Sequence, residues 1–302
     1  MSFLPKDFSD FIKADCNRCD FIQNWLCERG IKTSLLCMEE KKHILLQFSS
    51  SSYNPQFRIK TVIAHYDRVL GSPGANDNSA AVWILMNWAI YLNSLKTCHN
   101  VRIIWTDGEE LGQKNGVADQ GSFALASAFK RLKMKNDDVY VFDACGRGEI
   151  PLLSRYTLPE KVSRKFIKSY ADLHRRTEDL LLRTCHGRWM NLPFPYSDNA
   201  SFLACGIPAV AITMLPSDEA SLYACSLMKN PDLEKKVMNT LEKSHEENNF
   251  ENGIFLEESI PYTWRLFHTE KDNLSSLTPE SFTVMSSILQ NLALTMYPTF
   301  KS

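Results

Sequence analysis

No stretch of this sequence is apolar for long enough to cross a bilayer as a helix. The most hydrophobic segment, "AAVWILMNWAIYL" (80–92), falls well short of the roughly 20 residues that a span requires. It reads as a buried core helix. The chain also lacks an excess of one charge. Its 34 Lys and Arg against 35 Asp and Glu leave a formal net charge of −1, so no global field draws it to nucleic acid or to an acidic membrane surface. It lacks internal repeats and low-complexity segments. It lacks the dense cysteine framework of a small secreted domain: its nine cysteines are odd in number and scattered from Cys16 to Cys225. Cys16 and Cys19 form a C-x-x-C with no second pair, so the expectation is reduced, mostly buried thiols rather than a structural zinc. The N-terminus, "MSFLPKDFSDFIKAD", has no basic start followed by an apolar run. The expected setting is therefore soluble and cytoplasmic, with neither nucleic acid nor membrane as partner.

What is present is ordinary globular material. With 302 residues, the length permits one large α/β domain or two small ones. Residues 5–29 carry apolar side chains at near-helical spacing, and Gly30 suits the end of a helix. "IKTSLLCM" and "HILLQFS", separated by "EEKK", read as a hairpin. Then strands alternate with helices: "FRIKTVIAH", a helix over 79–94, "VRIIWT", a helix over 122–133, and "DVYVFDA". A helix over 160–174, a short helix near 198–205 and the strand "PAVAITM" follow. A last helix is signed by Thr278 as N-cap, Pro279 at the first helical position, and a staple between Leu277 and Phe282. This alternation implies an α/β fold with a central, mostly parallel mixed sheet and helices on both faces. A single domain over 1–302 is expected, with a charged, helical surface insertion at about 217–262.

The positions of acids and histidines carry more information than their number. In open α/β sheets, ligands sit beyond the carboxyl ends of strands. His65 and Asp67 end "KTVIAHYD", Glu109 and Glu110 end "VRIIWTDGEE", and Asp143 ends "VYVFDA". Asp77 lies in the loop "GSPGANDNSAA", Asp198 in "PYSDNASF" and His268 in "RLFHTEKDN". Each alone has a plain explanation. Asp77 and Asp198 could be helix N-caps, and a lone histidine is more often a core or surface residue than a ligand. Together they would require several independent loops to bring carboxylates or imidazoles to one edge without cause.

Imidazole and carboxylate donors without cysteine suit zinc or a similar divalent ion. Five ligands are too many for one tetrahedral ion with an open position; they suit two ions with one carboxylate bridging. Charge balances as well, since Asp77, Glu110, Asp143 and a hydroxide would offset two dications. The adjacency of Glu109 and Glu110, otherwise repulsive, then has a purpose. One binds metal and its neighbour stays free as general base, with Gly108 turning the backbone so that both face one pocket.

On "AHYD", "SPGANDNSAA", "TDGEELG", "VFDACG", "YSDNASFLACGIPAV" and "FHTEKDNLSSL", in that order over 62–277, the sequence resembles the co-catalytic zinc aminopeptidases and the glutaminyl cyclases of metallopeptidase family twenty-eight. The resemblance implies a zinc-exopeptidase-like fold. It implies His65 and Glu110 as terminal ligands of different zincs, likewise Asp143 and His268, with Asp77 bridging and the Asp77–Asn78 peptide cis. It implies Asp67 as the acceptor that orients His65, Glu109 as general base and Asp198 as an active-site aspartate. The sequence departs from the pattern at Asn199, where many relatives have histidine. It departs again in "QKNGVADQ" between "EELG" and "GSFALA", and in the long insertion before His268.

Three functions fit. The first is an aminopeptidase holding two zincs and acting on peptides with a free N-terminus. The second is a glutaminyl-peptide cyclotransferase with one zinc and the same ligand residues. The third is a non-catalytic binding module. Cyclases resemble one another in a tryptophan shortly after the Glu-Glu pair and another just before the last histidine. Here those places hold Asn115 and Phe267, which favours the peptidase. Tyr66, Tyr196, Phe267 and the insertion are all candidates for the pocket wall.

Overall fold

The computed structural model describes residues 3–112, 116–134, 137–155, 162–230, 232–239 and 259–299. Eight strands form one sheet: β1 (Ser34–Met38), β2 (Lys41–Gln47), β3 (Ile59–His65), β4 (Val101–Thr106), β5 (Asp137–Phe142), β6 (Ile150–Ser154), β7 (Met190–Leu192) and β8 (Ala209–Leu215). Their spatial order is β1-β2-β4-β3-β5-β8-β6-β7. The centre, β4-β3-β5-β8, is parallel throughout, and β6 pairs β7 in parallel. β1, β2 and β6 supply the antiparallel pairings. The mixed α/β sheet expected from the sequence is thus the fold.

The central strands read as near-continuous apolar runs because both of their faces are covered. β4, β5 and β8 are buried at every residue, as parallel sheets require. Alternate residues serve opposite layers. Val62, Ile103, Tyr140 and Ile212 pack on one face with α3 (Ala80–Ser94), α5 (Arg164–Cys185) and α10 (Pro279–Leu294), together with α1 (Lys6–Phe11) and α2 (Arg18–Cys27). Ile63, Ile104, Val139 and Ala211 pack on the other with α4 (Gly121–Arg131), α6 (Asn199–Ala204), α7 (Ser217–Lys229), α8 (Leu233–Asn239) and α9 (Tyr262–Arg265).

Several sequence expectations need correction. The helical stretch 5–29 is two helices, because Asn17 caps a new one by accepting from the Asp20 N–H. The hairpin turn is shorter than "EEKK": Met38 pairs with Lys41, and Glu39 adopts φ +54°. The helix expected over 160–174 is Arg164–Cys185, capped by Ser163 and ended by His186 at φ +51°. Its polar run "HRRTED" hid the second half. β6 and β7 add to the strands expected from the sequence, whose pattern hides them: β6 contains Pro151 and β7 has three residues. Thr278 precedes α10 as expected, but its side chain does not cap that helix. Instead its hydroxyl accepts from the Gly148 N–H at 2.8 Å. The nine cysteines are free, but only Cys19, Cys145 and Cys205 are buried, while Cys27, Cys37 and Cys225 are exposed. Among the described residues, no helix is long and apolar enough to cross a membrane.

Winding reverses at β3. The chain leaves β3 through α3 to β4 on one side and returns to β5 on the other. This switch point opens a crevice at the carboxyl edge, where β3, β4 and β5 deliver their last residues. Two glycines shape that edge. Gly108 holds φ +79° just after β4, a conformation open to glycine without steric cost. Gly121 N–H donates to Gly108 O at 3.0 Å, and a Cβ on Gly121 would stand 1.9 Å from the Asp107 carbonyl oxygen. Because that obstacle is backbone, Gly121→Ala is expected to destabilise the fold by about 1–3 kcal/mol. A thermal melt unchanged from wild type would show that the loop yields.

Candidate active site

The six residues singled out as ligands and base converge at this crevice. Three triads of donor atoms form, with all atoms of each within 4.8 Å of one another: His65, Asp77 and Asp143; Asp77, Glu110 and His268; and His65, Glu109 and Glu110. Asp77 belongs to the first two. Its Oδ1 lies 3.3 Å from His65 Nε2 and its Oδ2 3.2 Å from His268 Nε2. Asp143 Oδ1 is 3.5 Å from His65 Nε2, and Glu110 Oε2 is 3.1 Å from His268 Nε2. Neither Asp77 nor Asp198 caps a helix through its side chain, so the plain reading of those two as N-caps fails.

The supporting contacts explain how loops hold these side chains. Asp67 accepts from the Glu109 and Glu110 backbone N–H groups, at 3.1 Å each, and faces His65 Nδ1 at 3.5 Å. One carboxylate therefore aims the first histidine and pins the glutamate pair. The peptide between Asp77 and Asn78 is cis. Asp272 receives the Asn76 and Asp77 N–H groups at 2.8 and 3.0 Å. Asn78 donates to Phe142 O and accepts from Ala144 N, tying the same loop to the end of β5. Arg18, buried beneath the loop, donates to Tyr66 O at 2.9 Å and to Pro73 O and Ser79 Oγ at 2.8 Å each. His268 sits at φ +60° and Ala144 at φ +51°, backbone positions of the kind that cluster at functional sites.

Electrostatics point to a missing positive charge. Burial, the neighbouring Glu110 and Asp143, and Asp198 raise the Glu109 carboxyl well above its usual range, although His65 opposes them. Burial and Asp77 push Glu110 up to about 7. Burial would lower the His65 imidazole, but Asp143, Asp67 and Asp77 outweigh it and hold the ring well above 6.5. Burial likewise opposes, and Asp77 and Glu110 overcome it, in raising His268 to about 10. Against burial, His268 and His65 hold Asp77 below its usual range, and His65 with the Glu110 and Glu109 N–H groups does the same for Asp67; the two imidazoles are outnumbered by the acids around them, which leaves negative charge for a cation to offset. Among the described residues, His65 Nε2 and Asp143 Oδ1 are buried with no hydrogen-bond partner, which is the condition of lone pairs that a cation would satisfy. Oxygen and imidazole donors in two triads with a shared carboxylate fit a pair of borderline divalent ions.

Glu109 and Asp198 stand outside the shared-carboxylate pair of triads. Glu109 borders a cavity of about 330 Å³, also lined by Asp77, Asp143 and His268 and by the aromatic side chains of Phe194, Tyr196, Trp264 and Phe267. Asp198 is fully buried and accepts from Thr106 Oγ1, and burial raises it to about 6. Of the candidate wall residues, Tyr196 and Phe267 line the cavity, while the Tyr66 hydroxyl donates to Lys42 O. The described ends of the expected insertion reach the cavity through Val237 and Ile260. Positions 240–258, and Asn115, lie outside the described residues.

The sequence reading missed Gln120, Asp272, Arg18 and Trp264. Gln120 Nε2 donates to Glu109 Oε1 at 2.9 Å. Its one sequence-level sign was its place before α4, where glutamine is an uncommon cap.

A model of peptidase family M28 matches residues 47–293. The chain belongs to peptidase family M28. Among solved structures, Legionella pneumophila LapA aminopeptidase is 17% identical with a TM-score of 0.61, over 96% of this chain and 69% of that one. A Bacteroides thetaiotaomicron glutaminyl cyclase bound to N-acetylhistamine is 15% identical with a TM-score of 0.60, over 95% and 94%. BSAP, a zinc aminopeptidase from Bacillus subtilis, is 17% identical with a TM-score of 0.52, over 86% and 51%. This chain thus spans about half the length of BSAP. No curated protein matches at a significant level by sequence. The M28 match begins after α2, so Arg18 reaches the site from outside the matched region.

The donor chemistry gives a pH test read as a difference between two states. In metal-free protein, the raised acids of the site include Glu109, held well above its usual range chiefly by burial, Glu110, pushed to about 7 by burial and Asp77, and Asp198 and Asp272, pushed to about 6 chiefly by burial. An acid whose folded pKa exceeds its unfolded value binds more protons when folded, so stability falls as pH rises through that interval. His268, raised to about 10, contributes fully below 6.5 and loses its contribution as pH climbs toward 10. Within the site both effects favour acid, whereas burial lowers His43 and His99 to about 4 and Lys60 to about 7, which favours alkali in either state. The signature of the site is therefore the difference between the two states: zinc is expected to raise the melting temperature more at about pH 8 than at about pH 5, because ligation needs deprotonated carboxylates and neutral imidazoles. Parallel slopes in the two states would mean that these groups do not bind the ion.

Proposed function

We propose that this M28 chain is an aminopeptidase that holds two zinc ions and hydrolyses the N-terminal peptide bond of peptides. The observation that carries the reading is Asp77, one carboxylate whose two oxygens face two different imidazoles in two donor triads. His65, Asp77 and Asp143 would hold one ion, and Asp77, Glu110 and His268 the other. When bound, the pair supplies Lewis acidity toward the scissile carbonyl and a lowered pKa for water. Glu109, buried at the cavity edge, accepts the proton of the attacking water and returns it to the departing amine. Asp67 keeps His65 and the Glu109–Glu110 backbone in place for that transfer. Phe194, Tyr196, Trp264 and Phe267 give the cavity an apolar wall, which supports an apolar first residue in the substrate.

A second reading, a single-zinc glutaminyl cyclase, gains from Trp264. Phe267 stands where cyclases resemble one another in tryptophan, yet an indole does line the cavity three positions earlier. The deciding experiment runs a panel of aminoacyl chromogenic amides beside cyclisation of a glutaminyl peptide, with zinc counted in the same preparation. Hydrolysis of leucyl or phenylalanyl amides with two zincs is the expected result. Cyclisation with one zinc and no hydrolysis would replace the first reading with the second. Two zincs without either activity would overturn both.

A further inference from the structure

Gln120 comes from a segment that sets this chain apart from the family pattern, and its side chain touches the proposed base. Its amide Nε2 donates to Glu109 Oε1 at 2.9 Å, and its Oε1 accepts from Ser201 Oγ at 2.7 Å. All three side chains are buried. The amide is also boxed in by packing: a Cβ on Gly112 would meet Gln120 Cγ at 2.3 Å, so the backbone there passes directly against the glutamine stem.

From this we infer that Gln120 is a positioning residue for the general base, held in one orientation by Ser201. The inference rests on Glu109 being the base, which both readings of the site require. An ionised carboxylate only accepts hydrogen bonds. The amide must therefore present its NH2 to Glu109, which turns its carbonyl toward Ser201, whose hydroxyl supplies a donor. The chain of donors runs one way, from Ser201 through Gln120 to Glu109 Oε1. Glu109 Oε2 is then the oxygen left to take the proton, and the Gln120 bond to Oε1 survives in both protonation states. A neutral donor suits this place. A guanidinium or ammonium would fix the carboxylate equally well but would stabilise its charged form and weaken it as a base. The amide fixes geometry without spending basicity, and a misplacement of about 1 Å in such a group can cost about a hundredfold in rate.

The test uses full-length, zinc-loaded protein on whichever substrate of the amide and cyclisation panel the wild type turns over. Gln120→Leu keeps bulk and removes both bonds. The expected result is a fall in kcat of about ten- to a hundredfold, with KM and zinc content near wild type. Ser201→Ala, a smaller change less apt to disturb folding, should lower kcat more modestly and add nothing in the Gln120→Leu background. Gln120→Leu should also add little to Glu109→Gln, because groups that act through one another are non-additive. A wild-type kcat in Gln120→Leu, or losses that multiply with Glu109→Gln, would overturn the clamp and leave the proposed function standing. If Gln120→Leu does not fold, a wild-type kcat in Ser201→Ala overturns it instead. A wild-type protein inactive on both substrates would remove the proposed function, and the clamp with it.

Discussion

Glu109→Gln is expected to lower kcat by about 10²–10⁴-fold while two zincs stay bound and the melting temperature stays near wild type. The substitution keeps the shape of the side chain and an oxygen that can accept from Gln120, so the Gln120–Ser201 chain is preserved. What disappears is the carboxylate at the cavity edge that the proposed function makes the proton acceptor. Metal content should not respond, because Glu109 is absent from both triads that share Asp77. Its close relation to His65 and Glu110 in a third grouping makes this a real test. If Glu109 were a ligand, zinc would leave with the substitution. Glu110→Ala is the control of opposite kind: one of the triads that share Asp77 loses a donor, zinc is lost and stability falls with it. Swapped phenotypes would reverse the assignment of the pair. Full activity in Glu109→Gln would remove Glu109 from the mechanism and leave the adjacency of two buried acids without a catalytic reason.

The gathering of the candidate residues at one edge was legible because they follow the ends of buried parallel strands. Runs such as "VRIIWT" are apolar at nearly every position only when both sheet faces are covered, so their ends mark the edge where ligands bind. His65, Glu109, Glu110 and Asp143 needed no more than that. Asp77 and His268 come from loops, and only their company made them stand out. The rest of the site depends on contacts between residues remote in sequence, which periodicity cannot reveal. Asp272 lies almost two hundred positions from the backbone N–H groups it receives, and Arg18 lies about fifty from the carbonyls it binds. Gln120 looked like part of a loop, although its side chain reaches back to Glu109. Trp264 carries no signal in the sequence, because only the short helix Tyr262–Arg265 brings its indole to the cavity, three residues before Phe267. In the fold, the missed strands were those with weak signals: β6 carries a proline, and β7 is three residues long at the sheet edge.

Asp77→Ala is expected to remove both metal ions, whereas Asp143→Ala and His268→Ala should each leave one site with its full triad. Asp77 Oδ1 and Oδ2 point to different imidazoles, at 3.3 and 3.2 Å, so loss of this one side chain strips a donor from each of the two triads it joins. Asp143 and His268 belong to one triad each. The loss should carry through to stability. An ion that binds only the folded state adds about 2.7 kcal/mol when present at a hundred times its dissociation constant. Asp77→Ala forfeits that gain twice, and a single-triad variant forfeits it once. Added zinc should therefore raise the melting temperature most in wild type, less in Asp143→Ala and His268→Ala, and scarcely in Asp77→Ala. Metal counting by mass spectrometry beside thermal melts with and without chelator reads both quantities from one preparation. Two ions retained in Asp77→Ala would mean that the carboxylate does not bridge. One ion in wild type, lost equally on changing Asp77, Glu110 or His268 and indifferent to Asp143, would reduce the centre to a single site. That pattern would move the chain from the peptidase reading to the cyclase.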